Sequence, residues 1–127
     1  MRIATAADVE RARNTARRLS RELGFGPIAA ETVALATSEM ATNLLRYAIG
    51  GDLRISPIDG PSQGVLLESE DDGPGIADLT VARRDGFSTG SGLGAGLGSI
   101  ERLMDECEFA STPAGTTIVA RKWMDPH

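Results

Sequence analysis

The chain has 127 residues, a length typical of one domain, and 41% of them are hydrophobic, enough for a small core. A net charge of −5 makes duplex DNA and anionic membranes poor candidates as partners. The only histidine is the last residue, and there is one cysteine and one lysine. These counts argue against a histidine-assisted nucleophile, a zinc site, an internal disulfide and a Walker-type phosphate loop.

Targeting signals are not evident. No apolar stretch reaches the roughly 18 residues of a membrane span, and no apolar run follows Met1 and Arg2 as a signal peptide would. One free cysteine is in keeping with a reducing compartment. We therefore expect a single cytoplasmic domain over residues 1–127.

The N-terminal part of the chain predicts two helices, preceded by a short edge strand over 1–5. Thr5 and Asp8 resemble a capping box, and apolar residues at spacings of three and four predict a helix over 6–23. We expect the arginines on its opposite face to be solvated. A second helix, over 28–48, is apolar almost all round, which predicts a central, buried position.

The rest of the chain predicts strands, a loop and one more helix. Strands are expected over 52–58 and 64–70, and an irregular segment over 77–94. A helix over 95–105 precedes a closing hairpin, whose strands are expected over 106–112 and 116–123. Pro57 argues that the first of the strands lies at an edge or ends there. The order predicts an α+β fold: a two-layer α/β sandwich whose mixed or antiparallel β-sheet has helices on one face.

Three segments carry residues of chemical interest. Glu39 and Asn43 lie four apart on the second helix and therefore share one face. Asp71-x-Gly73-x-Gly75 follows a strand. Gly92-Leu93-Gly94-Ala95-Gly96-Leu97 runs into a helix, where glycines allow close approach of a ligand and free N–H groups favour an anion such as phosphate. Alone, that third segment is equally well explained as a flexible hinge, and a helix-internal hydrogen bond explains Glu39 and Asn43.

In this order the three segments resemble the GHKL, or Bergerat, ATP-binding fold of histidine kinases, gyrase-type ATPases and small bacterial serine kinases. The resemblance covers essentially the whole chain. It is closest to stressosome switch kinases of the RsbT type, through Asp85-Gly86-Phe87-Ser88-Thr89 and Arg102-Leu103-Met104-Asp105-Glu106. The chain has no room for the phosphorylated-histidine helix of histidine kinases, and it has Tyr47 where many relatives have a histidine.

The resemblance implies roles for particular residues. Glu39 would be the general base that takes a proton from the substrate hydroxyl, and Asn43 would coordinate the magnesium that bridges the phosphates of ATP. Asp71 would accept a hydrogen bond from the adenine amino group. Thr116 would support adenine through water, although the adjacent Thr117 leaves the register open. The remaining nucleotide-binding residues would be Gly73, Gly75, Gly92, Leu93, Gly94, Ala95, Gly96 and Leu97.

The function that the resemblance implies is serine/threonine protein kinase. Such a kinase would use ATP and Mg²⁺ to phosphorylate a STAS-domain protein, either an anti-sigma-antagonist or a stressosome scaffold. It would then act by partner switching on a downstream phosphatase or another output. Two alternatives remain: a kinase that is also an anti-sigma factor, and a nucleotide-gated protein that binds a sigma factor or phosphatase without phosphorylating it. Glu39 counts against the last, because a pure binder needs no base.

Overall fold

The computed structural model describes residues 1–47, 51–71, 93–112 and 115–124. Within these ranges, no helix combines the length and hydropathy that a membrane crossing requires. The elements are β1 (Arg2–Ile3), α1 (Ala6–Leu23), α2 (Pro27–Tyr47), β2 (Gly51–Ile58), β3 (Gly64–Asp71), α3 (Leu93–Leu103), β4 (Glu106–Thr112) and β5 (Gly115–Trp123).

The five described strands form one sheet in the order β1-β2-β3-β5-β4, and every neighbouring pair is antiparallel. Because side chains alternate across a strand, one face of the sheet carries buried residues such as Leu53, Leu67 and Ile118. The intervening residues, such as Asp52 and Arg54, are exposed. The α+β sandwich predicted from the sequence is confirmed.

The start and end of α1 are set by local side-chain chemistry. Thr5 Oγ1 accepts from the Asp8 backbone N–H at 3.3 Å, and Asp8 Oδ2 accepts from the Thr5 backbone N–H at 2.9 Å, completing the predicted capping box. Gly24 follows with φ of 111°, a left-handed conformation that ends the helix. Proline is well suited to a first helical position, and α2 begins at Pro27.

Helix α2 supplies the largest part of the core but is not buried all round. Val33 and Met40 are fully buried and pack with Leu53 of β2 and Ile100 of α3. The opposite face is open, with Ile28 85% exposed and Leu35 46% exposed. The predicted central position is confirmed, but burial is limited to one face, because a two-layer sandwich covers a helix on one side only.

The outer edge of β2 is mostly uncovered by the described strands. Strand β1 pairs only with Gly51 and Asp52, so the stretch that contains Pro57 has a described strand on one side alone. Proline lacks the N–H that a second neighbour would require. This agrees with the edge position predicted for it.

Candidate active site

Two polar side chains project from one face of α2. Glu39 and Asn43 are both half-buried, whereas Met40 and Leu44, which each follow one of them, are buried in the core. Residues four apart on a helix differ by about 40° in direction and about 6 Å along the axis. The carboxylate and the amide therefore lie side by side at the border between core and surface.

The amide of Asn43 has an unusual environment. Its Nδ2 atom is buried and has no hydrogen-bond partner among the described residues. A buried polar atom without a partner costs about 1–3 kcal/mol, so such atoms in folded proteins call for an explanation. A ligand oxygen that accepts from Nδ2 would supply one, whereas only Oδ1 of this amide could bind a metal ion.

The donor set fits magnesium bound mainly through a nucleotide. Within the described ranges, no cluster of three or more His, Cys, Asp or Glu side chains could enclose a metal ion. Mg²⁺ usually keeps several waters and takes few protein ligands together with substrate phosphates. The side-chain oxygen of Asn43 is a hard donor of the kind that magnesium accepts.

The end of β3 meets the start of β5 at Asp71 and Thr116. Asp71 Oδ1 accepts a hydrogen bond from the Thr116 backbone N–H at 3.2 Å, and Thr116 is 5% exposed. The preceding Gly115 has φ of 151°, and a β-carbon there would collide with the Asp71 carbonyl oxygen. Thr117 pairs with Glu70 on the opposite face of the sheet. The geometry thus favours Thr116 over Thr117 as the threonine beside Asp71.

Gly51 lies where helix α2 packs close to Asp71. A β-carbon at Gly51 would lie 2.8 Å from Leu44 Cδ2 and 3.0 Å from Asp71 Cα, and it would collide with the Glu70 carbonyl oxygen. The absence of a side chain therefore lets the residue after Asn43 pack close to Asp71. Sequence analysis did not single out Gly51, since this close approach has no signature in a single sequence.

The glycine-rich segment enters a helix earlier than expected. Helix α3 begins at Leu93 rather than near residue 95, so its first turn contains Gly94 and Gly96 as well as Ala95, and Leu97 follows. The first four N–H groups of a helix have no partner within it, and they favour an anion. Ile100 and Met104 are buried in the core that α2 shares. Gly73, Gly75 and Gly92 lie outside the described residues.

The acidic residues before Asp71 belong to a different surface. Glu68 and Glu70 alternate with the buried Leu67 and Ser69, so they lie on the face of the sheet opposite the helices. Glu68 is 3.8 Å from Arg54, an ion pair on that outer face. They are separated from Glu39 by the thickness of the sheet.

Comparison with known proteins identifies the family of this chain and a curated relative. Residues 3–122 match the family described as the histidine kinase-like ATPase domain. The serine/threonine-protein kinase RsbT of Bacillus subtilis (strain 168) is 42% identical over 126 residues, which are 98% of this chain and 95% of that protein.

Solved structures with the same fold include two histidine kinases. AdeS of Acinetobacter baumannii superimposes with a TM-score of 0.52 at 25% identity over 76% of this chain. The histidine kinase domain of a blue-light activated kinase from Erythrobacter litoralis superimposes with a TM-score of 0.60 at 17% identity over 93% of this chain. The matches span 47% and 60% of those two longer chains, and the second shows the fold alone.

Proposed function

Since this chain belongs to the histidine kinase-like ATPase domain family and is a relative of the serine/threonine-protein kinase RsbT, we propose that it transfers the γ-phosphate of ATP to a serine or threonine of a STAS-domain protein. The observation that carries the proposal is the pairing, on α2, of the half-buried carboxylate of Glu39 with Asn43, whose buried amide nitrogen has no partner among the described residues. Glu39 as the base and Asn43 Oδ1 as a ligand for magnesium would then lie one helical turn apart, with Nδ2 free to donate to a phosphate oxygen.

Glu39 would act as the general base. Its carboxylate takes the proton of the acceptor hydroxyl as the hydroxyl oxygen bonds to the γ-phosphorus. The bond from that phosphorus to the bridging oxygen breaks, and ADP carries the electron pair away. A base positioned in this way contributes about 10²- to 10⁴-fold to the rate.

Three other parts of the site would hold the nucleotide. Asp71, oriented by the Thr116 backbone N–H, would accept from the adenine amino group. The N–H groups of the first turn of α3, from Leu93 to Gly96, would face the phosphates. Magnesium, when bound, supplies charge neutralisation at the phosphates, and Asn43 is the residue that would hold it.

The biological setting of the proposal is partner switching in stress signalling. The STAS-domain acceptor would be a stressosome scaffold or an anti-sigma-antagonist, and its phosphorylation would free the kinase to bind a downstream phosphatase or another output. We further propose that residues 1–127 form one kinase domain and that it works in the cytoplasm. The near-complete coverage of the Bacillus relative in both directions supports the comparison with a kinase of the same size.

A phosphate-transfer assay tests this function. The purified chain is mixed with γ-labelled ATP, Mg²⁺ and each STAS-domain protein of the same organism, and label on serine or threonine is measured. Glu39→Gln should lower transfer by about 10²-fold or more while ATP binding survives. Glu68→Gln is the matched control, since it makes the same change on the opposite face of the sheet.

The outcomes separate the proposal from its alternatives. Label on a STAS serine or threonine that disappears with Glu39→Gln establishes the kinase and its base. Transfer that persists with Glu39→Gln rejects Glu39 as the base. ATP binding without transfer to any STAS-domain protein rejects the proposed reaction, and it favours a nucleotide-gated binder of a sigma factor or phosphatase.

A further inference from the structure

The exposed face of α2 carries two large apolar side chains. Ile28 and Leu35 are two of the three large hydrophobic residues exposed in the described ranges, and the third, Met1, precedes β1 at the far side of the sheet. Isolated exposed apolar residues are common, but these two lie seven positions apart and therefore share one face of a helix. Ile28 and Leu35 are called the α2 ridge below.

The α2 ridge leads to the proposed base. Helical geometry places Leu35 about 40° and about 6 Å from Glu39, and Ile28 about 20° and about 17 Å from it. Glu39 is half-buried, so it lies where this ridge meets the core. A solvent-facing apolar strip and a candidate catalytic carboxylate therefore occupy the same side of the same helix.

A protein acceptor is large enough that it should contact the α2 ridge when its hydroxyl reaches Glu39. A typical interface buries about 800 Å² on each partner, a patch about 16 Å in radius. A folded protein that brings a serine or threonine hydroxyl to Glu39 thus covers Leu35 within its contact area and reaches Ile28 near its rim. Apolar side chains near the centre of an interface contribute most of the binding free energy.

We propose that the α2 ridge is the docking surface for the protein that accepts the phosphate. This inference rests on the proposed function, and it adds the surface that selects the acceptor. The occupant is a folded protein with a complementary apolar patch beside its acceptor serine or threonine. Leu35, nearer to Glu39, contributes more than Ile28.

The test uses the full chain and the STAS-domain protein from the transfer assay. Leu35→Gln and Ile28→Gln are compared with Leu66→Gln, which makes the same change on the outer face of the sheet and outside the core cluster. Leu35→Gln should raise the KM for the acceptor about tenfold, and Ile28→Gln about threefold, with unchanged ATP affinity. Leu66→Gln should change neither. Direct binding of the STAS-domain protein is measured in parallel, and thermal unfolding confirms that each variant is folded.

Each outcome decides something different. An acceptor KM and an acceptor affinity that neither ridge variant changes would overturn the docking surface, even if wild-type transfer is strong. Ridge variants that instead abolish self-association in light scattering, with unchanged KM, would assign the ridge to a second copy of this chain and also overturn it. If the wild-type chain binds the STAS-domain protein without phosphorylating it, the proposed reaction fails, and weaker binding by Leu35→Gln would still support the ridge.

Discussion

The carboxylate of Asp71 accepts a hydrogen bond from the backbone N–H of Thr116, with 3.2 Å between Asp71 Oδ1 and the Thr116 nitrogen. The bond links the last residue of β3 to the second residue of β5, 45 positions further along the chain. A side chain bonded in this way is held in one orientation. The Asp71 carboxylate therefore has a fixed orientation before a ligand binds.

Replacing Asp71 by Asn should weaken ATP binding without unfolding the protein. The amide oxygen can still accept from Thr116, but the amide N–H₂ then faces the amino group of adenine, donor against donor. A lost hydrogen bond to a charged group lowers affinity by about 10- to 100-fold. Isothermal titration calorimetry with ATP measures this loss.

Asp52→Asn is the control for this change. Asp52 is exposed on the outer face of the sheet, and its surface ion pair with Arg2, at 3.8 Å, contributes little to stability. Equal affinities for Asp71→Asn and wild type would remove Asp71 from the adenine site.

Replacing Gly115 by Ala should destabilise the protein more than replacing Gly60 by Ala. Both glycines have positive φ, 151° and 126°, so both variants carry backbone strain of about 1–2 kcal/mol. At Gly60 nothing lies within 4 Å of the added carbon, whereas at Gly115 it collides with the Asp71 carbonyl oxygen. The difference between the two unfolding free energies, from chemical denaturation, isolates that collision. Gly115→Ala should also weaken ATP binding, since it displaces Asp71. Equal destabilisation by the two variants would contradict the close packing of β5 on Asp71.

The ion pair between Arg17 of α1 and Glu31 of α2 should give a pH-dependent part of stability. Arg17 Nε donates to Glu31 Oε2 at 2.7 Å, and this hydrogen bond lowers the pKa of Glu31 and raises the pKa of Arg17. A carboxyl with a lowered pKa stabilises the fold above its unfolded pKa, and that stabilisation is lost as pH falls through the folded value. The difference in melting temperature between wild type and Glu31→Gln should thus be constant from pH 7 to about pH 5 and shrink below about pH 4.5.

Salt provides the check on this ion pair. Both side chains are partly exposed, 36% for Arg17 and 49% for Glu31, so raising ionic strength at pH 7 should also shrink the difference between wild type and Glu31→Gln. Glu22→Gln, at an exposed position of α1, is measured under the same conditions as the control for removing one negative charge. A difference that grows as pH falls would mean that Glu31 is held in its neutral form, against the hydrogen-bond geometry.

The parts of the fold that the sequence predicted well are those with local causes. The bounds of α1 follow from the capping pair Thr5 and Asp8 and from Gly24, all of which act within a few residues. The β2–β3 and β4–β5 hairpins follow from turn residues that separate segments with alternating apolar and polar residues. The resemblance of the three segments to one ATP-binding fold predicted the family, which the match over residues 3–122 confirms.

The parts that the sequence left open depend on contacts between distant segments. Whether Thr116 or Thr117 lies beside Asp71 depends on the register of β3 and β5, and a shift of one residue would exchange the two faces. The exposure of Ile28 and Leu35 was not predicted, because apolar residues on all sides of α2 give no sign of which face the sheet leaves open. Nor does a single sequence show that Leu44 packs close to Asp71 because Gly51 has no side chain.

Replacing Asn43 by Leu should stabilise the nucleotide-free protein and abolish phosphate transfer. Asn43 Nδ2 is buried and has no hydrogen-bond partner among the described residues, so a leucine of similar size removes an unpaired polar group and gains helix propensity. We expect about 1–2 kcal/mol of added stability in chemical denaturation.

The same variant should bind ATP with an affinity that no longer responds to Mg²⁺, because leucine offers the metal no oxygen. Ser20→Ala is the matched control: Ser20 Oγ is also buried without a partner among the described residues, but it lies on α1. That variant should gain stability and keep full transfer. A gain in stability for both variants, with transfer lost only at Asn43, would mean that the unpaired amide is retained for its ligand. Full transfer by Asn43→Leu would mean instead that the unpaired amide has no role in binding the ligand.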